Sequence, residues 1–388
     1  ADGINSVHAV DIDNDGDIDI LSGLGWGGIK WFDNDGSENF STQTITTTSS
    51  YQQSTYAVDL DTDGDIDIIS ASQDDINISW YENTMEKGQI ADFVETNIYS
   101  SSQIDSGNES FAVDMDNDGD IDVVTAGGVD KTFAWHENDG SETFTSHILS
   151  SSLDYPNSVN AIDLDQDGDM DVIGVSGDHN SNNDTKKLVW FENNGSQTFT
   201  ENNIVTSSAS CCPGRRNVLA EDMNNDGDID IVVSGLKSET IYLYNNDGSE
   251  NFSEYVFPLN PSVADCDNCE GIVIVDLDQD GDKDVAFVSP EDGVGWYLND
   301  GNANPTFSGS YYDKASVAEF SIDAADVDGD GDIDLIASGA GPDGNNYSSK
   351  QNYVQWYENR GNLNFADHAI GYKSNTSSQK TYYTSSHA

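Results

Sequence analysis

Apolar and polar residues alternate in short runs along this chain, as in "DIDIL" at 17–21 and "IKWF" at 29–32. Gly, Asn, Asp or Ser closes off each run. A period of two between turn-forming residues predicts short strands, and no long stretch carries the 3.6-residue period of a helix. No apolar run approaches the roughly 20 residues that a membrane-spanning helix needs.

The strands come in a repeating order. "DIDNDGDID" begins at Asp11, and close copies begin at Asp59, Asp114, Asp163, Asp222, Asp276 and Asp326. A second motif follows each copy, for example "WFDNDGSENF", "WHENDGSETF" and "WYENRGNLNF". One unit therefore reads strand a ("VHAV"), Asp loop, strand b ("DIDILSG"), variable connection, strand c ("IKWFDN"), Gly turn and strand d ("FSTQTI"). Four antiparallel strands repeated about every 50 residues is the pattern of propeller blades. The expected fold is all-β, a seven-bladed β-propeller of four-stranded antiparallel blades. One domain would span 1–371, with blades at about 1–47, 48–103, 104–152, 153–208, 209–262, 263–313 and 314–371. The Ser/Thr-rich residues 372–388 read as a tail. The chain starts at a strand a and its seventh repeat ends on its own strand d, so no strand exchange between the termini is evident, and the mode of ring closure stays open at this point.

Composition then restricts the partners. The 388 residues carry 72 acidic and 14 basic side chains, a formal charge of −58. Phosphate-rich partners, nucleic acid and anionic membrane would be repelled. No signal-peptide pattern stands at Ala1, so the chain reads as a mature or trimmed form. Such acidity suits a secreted or cell-surface protein in salty, marine-like water, acting as a monomer.

The Asp loops carry the strongest chemical signal. Oxygen ligands at positions 1, 3 and 5, Gly at 6 and a carbonyl at 7 make the first half of an EF-hand-like calcium loop. The ninth-position Asp would close the shell where an EF-hand uses a later Glu. The ligand sets are Asp11, Asp13, Asp15, Asp17 and Asp19; Asp59, Asp61, Asp63, Asp65 and Asp67; Asp114, Asp116, Asp118, Asp120 and Asp122; and Asp163, Asp165, Asp167, Asp169 and Asp171. They continue with Asp222, Asn224, Asp226, Asp228 and Asp230; Asp276, Asp278, Asp280, Asp282 and Asp284; and Asp326, Asp328, Asp330, Asp332 and Asp334. In each set the fourth member acts through its backbone carbonyl. Two carboxylates about 5 Å apart repel by roughly 3 kcal/mol at an effective dielectric near 20. A hard divalent cation removes that repulsion, and Ca²⁺ tolerates this ligand set better than Mg²⁺. About seven structural Ca²⁺ ions are expected. The apolar eighth residue, Ile18 in the first loop, would anchor the loop to the core; Lys283 breaks that rule in the sixth.

These loops and the second motif resemble the VCBS/FG-GAP-type repeats, calcium-bearing propeller repeats related to those of integrin α subunits. The resemblance covers nearly the whole chain. It implies a seven-bladed propeller with Ca²⁺ in each a–b loop, and a family that includes lectins, adhesion modules and some polysaccharide lyases.

Within a meander the a–b and c–d turns share one face and the b–c and d–a connections share the other. The second face carries the irregular segments, where binding usually resides. Eight of the 14 basic residues fall there, Lys131, Lys186, Lys187, Arg215, Arg216, Lys237, Lys314 and Lys350. Arg forks suit carboxylate or sulfate, and aromatic rings stack on sugar faces. The candidate ligand-binding residues are Trp26, Tyr155, Lys186, Lys187, Arg215, Arg216, Lys237, Tyr311 and Tyr347, and the expected partner is an anionic extracellular polysaccharide. The opposing expectation is that Lys and Arg simply pair with neighbouring acids. The strand-c residues Trp31, Trp80, Trp135, Trp190, Trp296 and Trp356 read as packing between blades, with a sugar pocket there as the alternative. Glu82, Glu137, Glu192 and Glu358 read as turn hydrogen-bonders.

A lectin-like binder without chemistry is the preferred function. The alternatives are a polysaccharide lyase acting by β-elimination on a uronate glycan and a protein-adhesion module. A lyase would draw on His179, Tyr155 and Arg215 as acid, base and carboxylate neutraliser. Cys211, Cys212, Cys266 and Cys269 lie in two neighbouring d–a connections and are expected to form disulfides, with three pairings open.

Overall fold

The computed structural model describes residues 4–25, 27–47, 51–72, 77–85, 92–100, 107–128, 131–177, 186–207, 217–235, 240–257, 271–289, 293–313, 318–343 and 346–372. They form 28 strands in seven four-stranded antiparallel sheets, each built from four consecutive strands. The first sheet comprises β1 (Ile4–Val10), β2 (Asp19–Leu24), β3 (Gly28–Asn34) and β4 (Phe40–Thr46). The chain is a seven-bladed propeller, as its repeat pattern predicts. Trp26, His179, Cys211, Cys212, Arg215, Arg216, Lys237, Cys266, Cys269, Lys314 and the segment 373–388 lie outside the described residues.

The core is not one cluster but seven, each lying between two blades. Alternation within strand c explains this. Trp31 shares a cluster with Ala57 and Ile68 of the second blade, whereas the next residue, Phe32, shares one with Ile336 and Trp356 of the seventh. The same rule places Trp80 against the third blade and Tyr81 against the first. Successive side chains of a strand leave opposite faces of the sheet, so each blade is glued on both sides. Strand b, sandwiched within its own sheet, is buried along its length; all six residues of β2 are covered. The six strand-c tryptophans are 0 to 6% exposed, so these rings are packing residues.

Strand a is the inner edge of each blade, and an unpaired edge leaves backbone N–H groups without sheet partners. Side chains of the preceding blade supply acceptors. The Val159 N–H donates to Glu109 Oε2 (3.0 Å) and the Val218 N–H to Ser158 Oγ (3.0 Å). The same device closes the ring. Val7 N–H donates to Ser321 Oγ (3.2 Å) and Ala9 N–H to Asp323 Oδ2 (2.9 Å), both from the seventh blade. Asn34 Nδ2 also reaches Val327 O (3.1 Å). The first and last sheets keep their own four strands, so closure uses packing and side-chain bonds and exchanges no strand.

One expectation is extended and one corrected. The apolar eighth residue of six loops (Ile18, Ile66, Ile121, Met170, Ile229 and Ile333) packs partly buried against a core cluster, as expected. The second residue is a deeper anchor: Ile12, Leu60, Met115, Leu164, Met223, Leu277 and Val327 are at most 3% exposed. The eighth residue is half-buried and contributes its carbonyl, so Lys283 fits, accepting from Asn299 Nδ2 at 3.0 Å. Tyr311, expected in a d–a connection, belongs to the outer strand Phe307–Asp313 and is half-buried.

The third blade carries a buried histidine where its neighbours have Phe or Tyr. His136 is fully buried between Thr125 Oγ1 (3.1 Å) and Ser146 Oγ (2.8 Å). Burial, and secondarily His147, lowers its pKa to about 3 from the ordinary 6.5. The unfolded chain therefore takes up a proton below pH 6.5 that the folded chain refuses until about pH 3. Stability from this site is complete above pH 6.5 and is lost as pH falls. Urea unfolding at pH 7 and pH 5 should show His136→Phe losing about 2 kcal/mol less than the parent over that interval, at fixed free divalent cation.

Candidate metal centres and the opposite face

Each Asp loop is first a hydrogen-bonded turn. Its first carboxylate accepts the N–H of the sixth-position glycine, as Asp11 Oδ2 does from Gly16 (3.0 Å) and Asp222 Oδ2 from Gly227 (2.9 Å). The fifth carboxylate accepts the N–H of the seventh residue, as in Asp15 to Asp17 (3.0 Å) and Asp330 to Asp332 (2.8 Å). The sixth-position glycines hold φ between +95 and +105°, a region that strains any residue with a Cβ.

The ninth residue is the deepest part of the loop. Asp19 is fully buried and accepts two backbone N–H bonds, from Ile12 (3.0 Å) and from Asn34 at the end of strand c (2.8 Å). The pair recurs in every blade, for example Asp122 with Met115 (2.8 Å) and Asn138 (2.7 Å), or Asp334 with Val327 (3.1 Å) and Asn359 (2.7 Å). Hence the ninth Asp pins three elements together: the Asp loop, the start of strand b and the end of strand c. The strand-c Trp indole N–H lies near enough to favour the anion in five blades but makes no close hydrogen bond. With protein groups alone, burial still pushes Asp19, Asp67, Asp122, Asp171, Asp230 and Asp334 up to about 7, and Asp284 to about 6.

The c–d turn presses on the same loop. A Cβ placed on Gly36 would come within 2.4 Å of Asp17 Oδ2, and Gly140, Gly195 and Gly248 stand in the same relation to Asp120, Asp169 and Asp228. The two turns therefore share a face, and the glycine of the second motif is required because the seventh Asp lies beneath it.

The donor set fits a hard cation. Carboxylate oxygens of Asp11, Asp13 and Asp15 lie within 4.8 Å of one another; so do those of Asp59, Asp61 and Asp67, of Asp114, Asp116 and Asp122, of Asp163, Asp165 and Asp171, and of Asp276, Asp278 and Asp284. Five loop oxygens are buried without any hydrogen-bond donor: Oδ1 of Asp13, Asp59, Asp163, Asp276 and Asp326. An ionised carboxylate can only accept, so each of these oxygens is left without a partner among the protein groups around it. Asp13 is held up at about 6 by burial and then by the charges of Asp15, Asp33 and Asp11. A bound cation would relieve both the missing donor and the repulsion. In the fifth loop Asn224 keeps the turn, its Oδ1 accepting from Asp226 N–H (2.9 Å).

The opposite face is described in part. Lys131 pairs with Asp154 (2.5 Å), joining a b–c to a d–a connection. Tyr155 is half-buried beside Gly128, and its carbonyl accepts from Gly177 N–H (3.1 Å). Lys186 corrects its expected placement: it opens the strand Lys186–Asn193 and is 3% exposed, so it offers no open charge. Lys187 lies 3.7 Å from Glu201. For Lys131 and Lys187 pairing with neighbouring acids is what the structure shows. Of the lyase trio, Tyr155 alone is described; Tyr347 lies in a described strand.

Three of the four W-x-E glutamates, Glu137, Glu192 and Glu358, take partners on strand d, and Glu358 also accepts from Arg360 in the c–d turn (2.7 Å), as expected of a turn hydrogen-bonder. Glu137 pairs with His147 (2.7 Å) and Glu358 with His368 (2.6 Å) on strand d, and each His ring packs on the strand-c Trp. Sequence reading missed these pairs because only strand register brings them together.

Residues 11–70, 59–125, 114–174, 222–287 and 276–337 match the model of the FG-GAP-like repeat. No curated protein sequence matches the chain. Among solved structures, the chain is similar to an Agrocybe aegerita lectin that recognises non-reducing terminal N-acetylglucosamine, with TM-score 0.60, 17% identity, and 94% of this chain and 93% of that one covered. It is also similar to puromycin hydrolase (TM-score 0.54, 10% identity, 97% of this chain but 55% of that one) and to BBS1N in complex with ARL6DN (0.53, 11%, 87% and 90%). At these identities the likeness is one of fold.

Metal and structural roles separate by substitution. Asp67→Asn offers one oxygen to two buried N–H groups and should cost about 2 kcal/mol in thermal or urea unfolding in chelator, and more in divalent cation, where a ligand charge is lost as well. Asp61→Asn keeps an acceptor for the Asp63 N–H and should destabilise in divalent cation but not in chelator.

Proposed function

The chain belongs to the FG-GAP-like repeat family, and from that premise we propose that it is a secreted, calcium-stabilised, carbohydrate-binding propeller that takes an anionic extracellular polysaccharide. Calcium suits loops of hard oxygen donors whose geometry varies, as the Asn224 substitution illustrates, whereas Mg²⁺ demands near-ideal octahedra and keeps its waters. Each ion would use the side chains at positions 1, 3, 5 and 9 and the carbonyl at 7. Seven such ions would bring the charge from −58 to about −44. Millimolar Ca²⁺ is available outside cells, which supports secretion.

The observation that carries the reading is the division of the molecule. The Asp loops and, in six blades, the Gly turns that lie against them occupy one face, and the strands lead into the b–c and d–a connections, of irregular sequence, at the other. The Agrocybe aegerita lectin shares this fold and recognises a terminal sugar, which supports carbohydrate as the ligand class here. Lys186 and Lys187 drop out as ligand residues, since one is buried and the other paired. The proposed anion-binding residues are therefore Arg215, Arg216 and Lys237, with Trp26, Tyr155 and Tyr347 as flat partners for sugar rings. The protein acts as a monomer without chemistry.

Chelation should lower the melting temperature, and added Ca²⁺ should restore it; an unchanged melting curve overturns the calcium assignment. Arg215→Ala with Arg216→Ala should weaken binding to an anionic polysaccharide at least about tenfold in affinity electrophoresis, the loss of two charge-assisted contacts. Equal retardation of parent and variant would overturn the cationic site. Absorbance near 235 nm should stay flat, whereas a rise from unsaturated uronate would establish the lyase instead.

A further inference from the structure

The fourth residue of every Asp loop is left-handed. Asn14, Thr62, Asn117, Gln166, Asn225 and Gln279 have φ of +56 to +62°, and Gly329 has +72°. This conformation is costly for residues other than Gly and, to a lesser degree, Asn. It aims the side chain at the next blade. Asn14 Nδ2 donates to Gly64 O (3.1 Å) and Asp65 Oδ1 (3.3 Å) in the second loop. Asn117 Nδ2 donates to Gly168 O (3.3 Å), Gln166 Nε2 to Gly227 O, Asn225 Nδ2 to Asp282 Oδ1 (2.7 Å) and Gln279 Nε2 to Gly331 O. Every acceptor is the sixth or seventh residue of the following loop, beside the peptide that supplies the seventh-position carbonyl.

The belt has two gaps. Thr62 is too short to reach the third loop, and Gly329, at the seam where the ring closes, has no side chain. Among the described residues neither position makes a bond of this kind, so the belt runs from loop 1 to loop 2 and, separately, from loop 3 through loop 7.

We propose that the seven loops take up cations as two cooperative blocks, loops 1–2 and loops 3–7, coupled by these fourth-position side chains. The proposal rests on the calcium reading above. A cation fixes the turn of its own loop and so holds the left-handed fourth residue in place. That residue's amide then fixes the sixth and seventh residues of the next loop, which has less freedom left to lose when its own ion binds. The coupling is reciprocal along each block. The gaps make the fourth-position coupling directional in space: it spreads around the ring but is interrupted at the junction of blades 2 and 3 and at the closing seam. At the seam only Asn34 Nδ2 to Val327 O links blade 1 to the seventh loop among the Asp-loop-face bonds described.

The test uses the full chain stripped of divalent ions. Hydrogen exchange, read by mass spectrometry for each loop at stepped free Ca²⁺, should show loops 1 and 2 gaining protection together and loops 3–7 together at a separate concentration. Gln166→Gly removes the donor while keeping a residue that accepts the left-handed turn, as Gly329 does. It should weaken uptake at loop 5 about fivefold, the worth of one hydrogen bond, and leave loops 1 and 2 unchanged. Thr62→Asn supplies the missing donor and should merge the two blocks into one transition. If equilibrium dialysis shows normal ion uptake but each loop titrates identically in parent and both variants, the coupling is overturned and the calcium reading stands. If dialysis shows no uptake, the calcium reading falls and the coupling with it.

Discussion

A carboxylate buried at the start of each b strand organises this protein. The ninth Asp of every loop is sealed from solvent and spends both oxygens on backbone N–H groups, one from its own loop and one from the end of strand c. A buried charge with no partner would be untenable, and two N–H bonds with a nearby indole do not fully compensate it, as the upward displacement of these acids shows. The remaining demand falls on the cavity that the same carboxylate shares with positions 1 and 3. The turn that fixes the strands and the pocket that calls for a cation are thus one structure. A cation held by these oxygens would therefore add to the stability of the same turn.

The propeller follows from how little each blade can do alone. A four-stranded sheet with apolar side chains on both faces has no interior, and it acquires one only between neighbours. Seven clusters, one per junction, give seven equivalent interfaces, and the last, between blades 7 and 1, must form without a covalent neighbour. Strand exchange is one way to secure such a seam. Here Ser321, Asp323 and Asn34 provide side-chain bonds across it instead. The seam is also one of the two places where the fourth-position belt is interrupted, and on the Asp-loop face Asn34 ties it to Val327 instead.

This construction separates support from display. Asp loops and Gly turns meet on one face and are constrained by one another, glycine against aspartate, leaving little room for variation. The connections on the far face differ in length and composition from blade to blade. A ring of this kind serves many ligands because what varies is remote from what holds it together.

The repeat period, the alternation and the Asp–Gly spacing were enough to announce strands, blades and acidic turns, because each depends on residues close together in the chain. The ligand oxygens of a loop lie within nine residues, so their convergence is written locally. What could not be read is everything set by register and by the neighbouring blade. The apolar eighth residue was legible as an anchor and does pack on the junction, but that the second residue is buried deeper there was not. Lys186 looked like a loop cation until the strand extended to include and bury it. The His–Glu pairs, the capped inner edges and the belt from loop to loop join residues ten to several hundred positions apart. Local pattern decides which turns and strands form; only the closed ring decides which groups then face each other, because each blade finds its other half in a different part of the chain.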